Sequence, residues 1–165
     1  LLKYIKDNNI SLKYNTKITS YPSDDLHFEG RLLGGCLDIL SLICGTKYDK
    51  VKEFNNKYAS DGVVWFLEAC DLTPVAIRRV LIQLRDAGWF SNAKGFLIGR
   101  SANAFNNSDF GLDRISACDV LKELNVPILI DVDLGHIPPT MPIICGSYGK
   151  VEYKENNLKI EMELK

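Results

Sequence analysis

Apolar residues recur along this chain in two rhythms. Through its middle, short continuous apolar runs alternate with stretches at helical spacing; toward the end the pattern becomes strict apolar–polar alternation. HFEGRLLGG reads as a short strand closing on a glycine turn, and CLDILSLICG as a helix with Gly45 placed to cap it. YDKVKEFNNKYASDG is weakly helical, then loop. GVVWFLEAC is a continuous run rich in Val, Trp and Phe, the pattern of a strand buried on both faces. Thr73 and Pro74 supply an N-cap and a first helical position. The helix they start runs to Gly88, with Ile77, Val80, Leu81, Leu84 and Ala87 on one face. GFLIGR is a second buried strand, DRISACDVLKELN a helix, and PILIDVD a third strand.

The tail predicts three successive strands, MPIICGSY, GKVEYKE and LKIEMELK, the last two joined as a hairpin at Asn156-Asn157. VEYKE and KIEMEL alternate, so one of their faces meets water. Residues 1–25 are polar and Asn-rich, with a short helix in LLKYIKDNN and a strand in KITSY. Strand–helix alternation followed by a C-terminal β-meander predicts an α/β domain with a mixed sheet.

Composition narrows the classes. At 165 residues, 46% hydrophobic and 25% charged, the chain is long enough for a single domain with a real core. A net charge of −1 favours neither nucleic acid nor an anionic membrane as a partner. Arg78, Arg79 and Arg85 share one predicted helix and read as a solvated face. Cys36, Cys44, Cys70, Cys118 and Cys145 form an odd set without CxxC spacing, mostly within apolar runs. They read as small buried hydrophobes in a reducing, cytoplasmic compartment, against a disulfide scaffold or a zinc site. No run approaches the ~20 apolar residues of a membrane span, and no signal-peptide pattern opens the chain. Its first residue is Leu, so the chain is expected to be a piece of something longer.

Two residues break the core pattern. Glu68 ends an otherwise buried strand, where a carboxylate must be hydrated or paired; a strand-end Glu pointing into solvent is the plain alternative. His136 comes after PILIDVDLG and precedes IPPTMP, at the strand end where α/β folds gather ligand-facing loops. Gly135 lets the backbone turn, and Pro138, Pro139 and Pro142 stiffen the loop beyond the histidine. A turn histidine is the plain alternative here too. Together, a Glu and a His at two strand ends would make an acid–base relay. The nucleophile such a relay needs is not evident. There is no G-x-S-x-G elbow, Ser147 in GSYG reads as a turn residue, and Cys70 reads as core. His27 receives no role. A metal site from Glu68, Asp131, Asp133 and His136 ranks last.

GRLLGGCLDILSLICGT, VVWFLEAC and LGHIPPTMPIICG, in that order and spacing, resemble the C-terminal half of the LD-carboxypeptidase family of serine peptidases. That family includes murein-tetrapeptide carboxypeptidases and microcin-immunity peptidases, and the resemblance covers residues ~28 to 150. It implies a swivelling β/β/α domain over 28–165, preceded by an opening segment or interdomain connection over 1–27. It implies a Ser–His–Glu triad in which Glu68 and His136 fall on the Glu and the His. The serine belongs to an N-terminal domain absent here, which becomes the expected partner, and the isolated chain is expected to be inactive. The implied reaction is acyl transfer on a murein tetrapeptide, or on a peptidyl-nucleotide toxin, without metal or organic cofactor. A cut domain interface would expose apolar surface and favour a homodimer. The chain departs from the family pattern at Cys36, where Asn is common, and in the compact Ile137-Pro138-Pro139 loop. The rival reading is a non-catalytic binding or interaction domain that kept the fold.

Overall fold

A computed structural model describes residues 16–102 and 111–164. The expected helix in LLKYIKDNN lies outside them. The elements run β1 (Thr19–Tyr21), β2 (Asp25–Cys36), α1 (Leu37–Ile43), α2 (Val51–Lys57), β3 (Val63–Glu68), α3 (Pro74–Asp86) and β4 (Ala93–Gly99). They continue with α4 (Arg114–Ala117), a 3₁₀ helix (Cys118–Leu124), β5 (Ile128–Val132), β6 (Tyr148–Lys154) and β7 (Asn157–Glu163). The seven strands form one mixed sheet in the order β1-β5-β4-β3-β2-β6-β7. Strands β2 to β5 are parallel; β1, β6 and β7 run antiparallel to their neighbours. The expected mixed-sheet α/β domain is therefore observed.

Each residue set finds its layer by elementary alternation. Along β3, Val63, Trp65 and Leu67 face the helices, while Val64 faces the opposite side, which explains an uninterrupted apolar run. The helix-side core joins these to Ile77, Leu81 and Leu84 of α3 and to Phe96, Leu121 and Ile128. Thr73 caps α3 by accepting a hydrogen bond from the Ala76 N–H, with Pro74 at the first position, as its sequence dictates. Ala87 is the C-cap and exposed rather than part of the apolar face.

The second core closes because the sheet curls. Strand β2 is twelve residues long, not a short strand ending at a turn; it pairs with β6 over Asp25–Arg31 and with β3 over Arg31–Cys36. Its first half folds over the sheet, bringing the Phe28 ring so close to Gly95 of β4 that a Cβ there would lie 2.4 Å away. Leu32, Leu97, Leu129, Val132, Leu134, Val151 and Tyr153 fill the space beneath.

Four other details depart from the sequence reading. MPIICGS forms no strand, and Tyr148 already opens β6. Met141 and Ile143 pack on the second core, but Pro142 between them offers no N–H for a ladder, so these residues serve burial alone. The β6–β7 turn is Glu155-Asn156, both with positive φ (48° and 64°), one residue earlier than expected. DRISACDVLKELN begins as α-helix, under an Asp113–Ser116 capping box, and tightens to 3₁₀ from Cys118. The arginines of α3 are more than a solvated face, since Arg78 donates to the Ser116 carbonyl at 3.1 Å and Arg85 pairs with Glu123.

Candidate active site

The parallel strands point their C-terminal ends to one edge, and three side chains meet there. Cys36 ends β2 and is the ladder partner of Glu68, which ends β3. The two reach that register through Gly34, with φ +156°, where any Cβ would fall 1.8 Å from the Phe66 carbonyl oxygen. His136 comes from two strands away, in the loop after β5. To reach Glu68 the loop must cross the end of β4, and β4 ends in glycine. A Cβ on Gly99 would lie 2.4 Å from the Leu134 oxygen and 2.8 Å from Glu68 Cβ. Gly135, with φ +100°, then turns the backbone against the Glu68 carboxylate.

The result is a direct pair. His136 Nδ1 lies 2.8 Å from Glu68 Oε2. Glu68 is buried, its side chain 8% exposed, whereas the imidazole is 53% exposed. A carboxylate only accepts, so Nδ1 carries the proton and the neutral ring keeps its lone pair on Nε2, the nitrogen left for other partners. The hydrogen bond to Glu68, and then the charge of that carboxylate, raise the histidine pKa above its ordinary 6.5. Such an imidazole is oriented, and its cation is stabilised by a buried anion.

The histidine loop is braced from beneath. Arg100, the residue after β4, donates to the carbonyls of Ile137 (3.1 Å) and Pro139 (2.9 Å) and pairs with Asp133 at 3.0 Å. Thr140 Oγ1 donates to the Gly135 carbonyl at 2.8 Å. Near the other strand ends, the Asp38 carboxylate accepts from the Cys70 and Asp71 amides at 3.0 and 3.1 Å and from the Cys36 thiol at 3.3 Å. Burial works against its ionised form, but those amides outweigh that and hold the carboxyl below its usual range. Burial first, then hydrogen bonds to Glu68 and Asp38, push the Cys36 thiol up to about 11.

Glu68 and His136 are thus brought together, and the other candidates are not. Asp131 is buried, its φ of +68° breaking the strand alternation, and its carboxylate takes two 2.7 Å hydrogen bonds from Arg114. Asp133 belongs to Arg100 and Thr16. Both carboxylates are held by arginines, so the Glu68–Asp131–Asp133–His136 metal set does not form. Ser147 is buried and donates to the Ile144 carbonyl. Among the described residues no serine hydroxyl is hydrogen-bonded to His136. Burial, the leading cause, raises the Cys70 thiol, which is only half-buried rather than core. His27 is exposed and pairs with Asp25 at 3.3 Å. All five cysteines are free, yet only Cys118 is buried as expected of a core residue.

Sequence reasoning missed Gly99, Arg100 and Asp38. Gly99 and Arg100 close the GFLIGR run, and a strand ending in glycine then arginine was the available signal. Among the described residues no helix is long and apolar enough to cross a membrane.

Comparisons with known proteins identify the family and the fold. A family model described as the LD-carboxypeptidase C-terminal domain matches residues 29–151. A probable murein peptide carboxypeptidase of Bacillus subtilis is 26% identical over 136 residues, 81% of this chain and 40% of that protein. The putative carboxypeptidase YocD of the same organism is 31% identical over 126 residues, 75% of this chain and 36% of that protein. This chain thus spans about two fifths of the length of these relatives. The muramoyltetrapeptide carboxypeptidase of Oxalobacter formigenes shares the fold over 99% of this chain and 54% of its own, with a TM-score of 0.69 and 19% identity. An MccF-like protein of Streptococcus pneumoniae, solved in complex with AMP, matches over 92% and 45%, with a TM-score of 0.67 and 26% identity. With the family model spanning most of its length, this chain belongs to the LD-carboxypeptidase C-terminal domain family.

Proposed function

We propose that the chain is the Glu- and His-bearing half of an LD-carboxypeptidase-type serine peptidase, with Glu68 and His136 as two members of a Ser–His–Glu triad. The observation that carries this reading is the 2.8 Å Nδ1–Oε2 pair, buried on the carboxylate side and open on the Nε2 side. The serine comes from an N-terminal domain outside these 165 residues. His136 Nε2 takes the serine proton as Oγ attacks the amide carbonyl, then passes it to the leaving amine. Glu68 holds the tautomer and stabilises the imidazolium between those steps. Water then repeats the sequence on the acyl-enzyme. The substrate is an amide near a free carboxylate, of the murein tetrapeptide L-to-D kind, met in the cytoplasm, where five free thiols persist.

A second substrate reading has its own support. The MccF-like protein solved in complex with AMP is 26% identical, as is the probable murein peptide carboxypeptidase of Bacillus subtilis. A peptidyl-nucleotide amide of the microcin type is therefore the alternative for the same relay.

The test uses the full-length protein. Glu68→Ala and His136→Ala should each lower turnover by about a thousandfold or more, and the isolated 165-residue chain should hydrolyse neither substrate. Near-normal rates in either variant would refute the triad assignment. Product analysis on murein tetrapeptide against peptidyl-nucleotide separates the two substrates. Wild-type inertness toward both would favour a binding domain that kept the fold.

A further inference from the structure

Cys36, Glu68 and His136 place one sulfur, one carboxylate oxygen and one imidazole nitrogen within 4.8 Å of one another. Among the described residues no other three His, Cys, Asp or Glu side chains gather in this way. Two of the three are fixed by adjacent strand ends, through the Cys36–Glu68 register, and the third sits on a braced loop. On a tetrahedral ion with bonds of about 2.1 Å to N or O and 2.3 Å to S, ligand atoms stand roughly 3.4–3.7 Å apart. Seating an ion therefore takes shifts that open the 2.8 Å Nδ1–Oε2 pair and draw in any wider separation, each of roughly 1 Å or less. His136, the most exposed of the three, is the ligand with room to make them.

The chemistry of the set selects the ion. A thiolate with one imidazole and one carboxylate is a zinc-type donor set, and the soft sulfur discriminates against magnesium and calcium. Asp38 accepts the Cys36 thiol hydrogen bond, and Asp38 and Asp71 both add negative charge around His136. That field favours a cation at the cluster, with Asp38 orienting the sulfur. Asp131 and Asp133 remain with their arginines, so the protein supplies three ligands, and solvent the fourth.

We propose that Cys36, Glu68 and His136 form a three-ligand site for a thiophilic divalent cation of the zinc type. On binding, Cys36 releases its thiol proton to water, and the imidazole proton passes from Nδ1 to Nε2 as Nδ1 coordinates. The ion then occupies Glu68 and leaves Nε2 protonated, so metal and proton relay exclude one another. That consequence for hydrolysis rests on the function proposed above; the binding does not.

The experiment titrates the reduced 165-residue chain with cobalt(II), monitored by absorption spectroscopy. The expected result is one equivalent bound, with a thiolate-to-cobalt charge-transfer band and tetrahedral d–d bands that zinc abolishes by displacement. Cys36→Ser should remove the charge-transfer band, and Cys36→Ser and His136→Ala should each weaken binding by about tenfold or more. Cys70→Ser and Cys145→Ser should leave both unchanged. Cys36→Asn serves as the second variant if circular dichroism shows that Cys36→Ser has lost its fold. No charge-transfer band at saturating cobalt, or a band that survives loss of Cys36, would overturn the proposal. Neither result would bear on whether the full-length protein is a peptidase, which the alanine variants decide.

Discussion

Gly135 and Glu68 are packed so closely that the histidine loop tolerates no side chain between them. A Cβ on Gly135 would stand 2.8 Å from both Cγ and Oε2 of the glutamate, on a backbone already at φ +100°. Gly135→Ala should therefore cost about 1–3 kcal/mol in denaturant unfolding, from overpacking and left-handed strain together. It should also part the Nδ1–Oε2 pair, and an NMR titration should show the His136 pKa falling toward its ordinary value. An unchanged titration would mean that the loop adapts.

The pair also makes stability depend on pH. A histidine whose folded pKa is raised stabilises the fold fully below the unfolded value, and that contribution is lost as pH rises through the folded value. For His136 the loss starts from the ordinary 6.5 and proceeds upward. Glu68→Gln removes the hydrogen-bonded anion, so the histidine should titrate lower and the pH dependence over that window should flatten. Chemical denaturation across about pH 5–8 measures it.

Arg100 ties three acceptors beneath the histidine. Arg100→Ala removes the guanidinium donor from the Pro139 carbonyl and leaves the Ile137 carbonyl only Thr140 at 3.4 Å and the Asp133 carboxylate only Thr16 at 2.7 Å, at a cost of about 1–3 kcal/mol. Arg100→Lys keeps a charge for Asp133 without the planar fork, so it should recover only part of that loss. In both variants the His136 ring resonances should broaden or shift. A stability loss with unaltered resonances would limit Arg100 to a structural role.

Arg114 and Asp131 form a two-pronged pair whose carboxylate side chain is only 6% exposed. Arg114→Met leaves that charge unpaired in the interior and should destabilise by about 3–5 kcal/mol, read from the denaturant midpoint at constant slope.

Local forces are legible in a sequence, and long-range ones are hidden. VVWFLE reads as a strand because burial on both faces leaves no polar position, and Thr73-Pro74 marks a helix start because capping is a matter of adjacent residues. Glu68 and His136 are legible as strand-end exceptions that together would make a relay, and the family resemblance adds the serine that such a relay needs. The failures lie where meaning comes from distant chain. MPIICGSY reads as a strand, but Met141 and Ile143 pack on the sheet face and only Tyr148 joins the ladder. Nothing in DVD tells that Asp131 turns to Arg114 and Asp133 to Arg100. Gly99 and Arg100 are unremarkable as residues, and gain their roles only when a loop from β5 passes over the end of β4.

That crossing has a consequence for any catalysis the full-length protein performs. Because the loop, its arginine brace and the glutamate all belong to one sheet, the imidazole's aim is set before anything docks against it. Whatever approaches this edge of the sheet therefore meets an Nε2 whose direction is already fixed, and only the newcomer has to find its position.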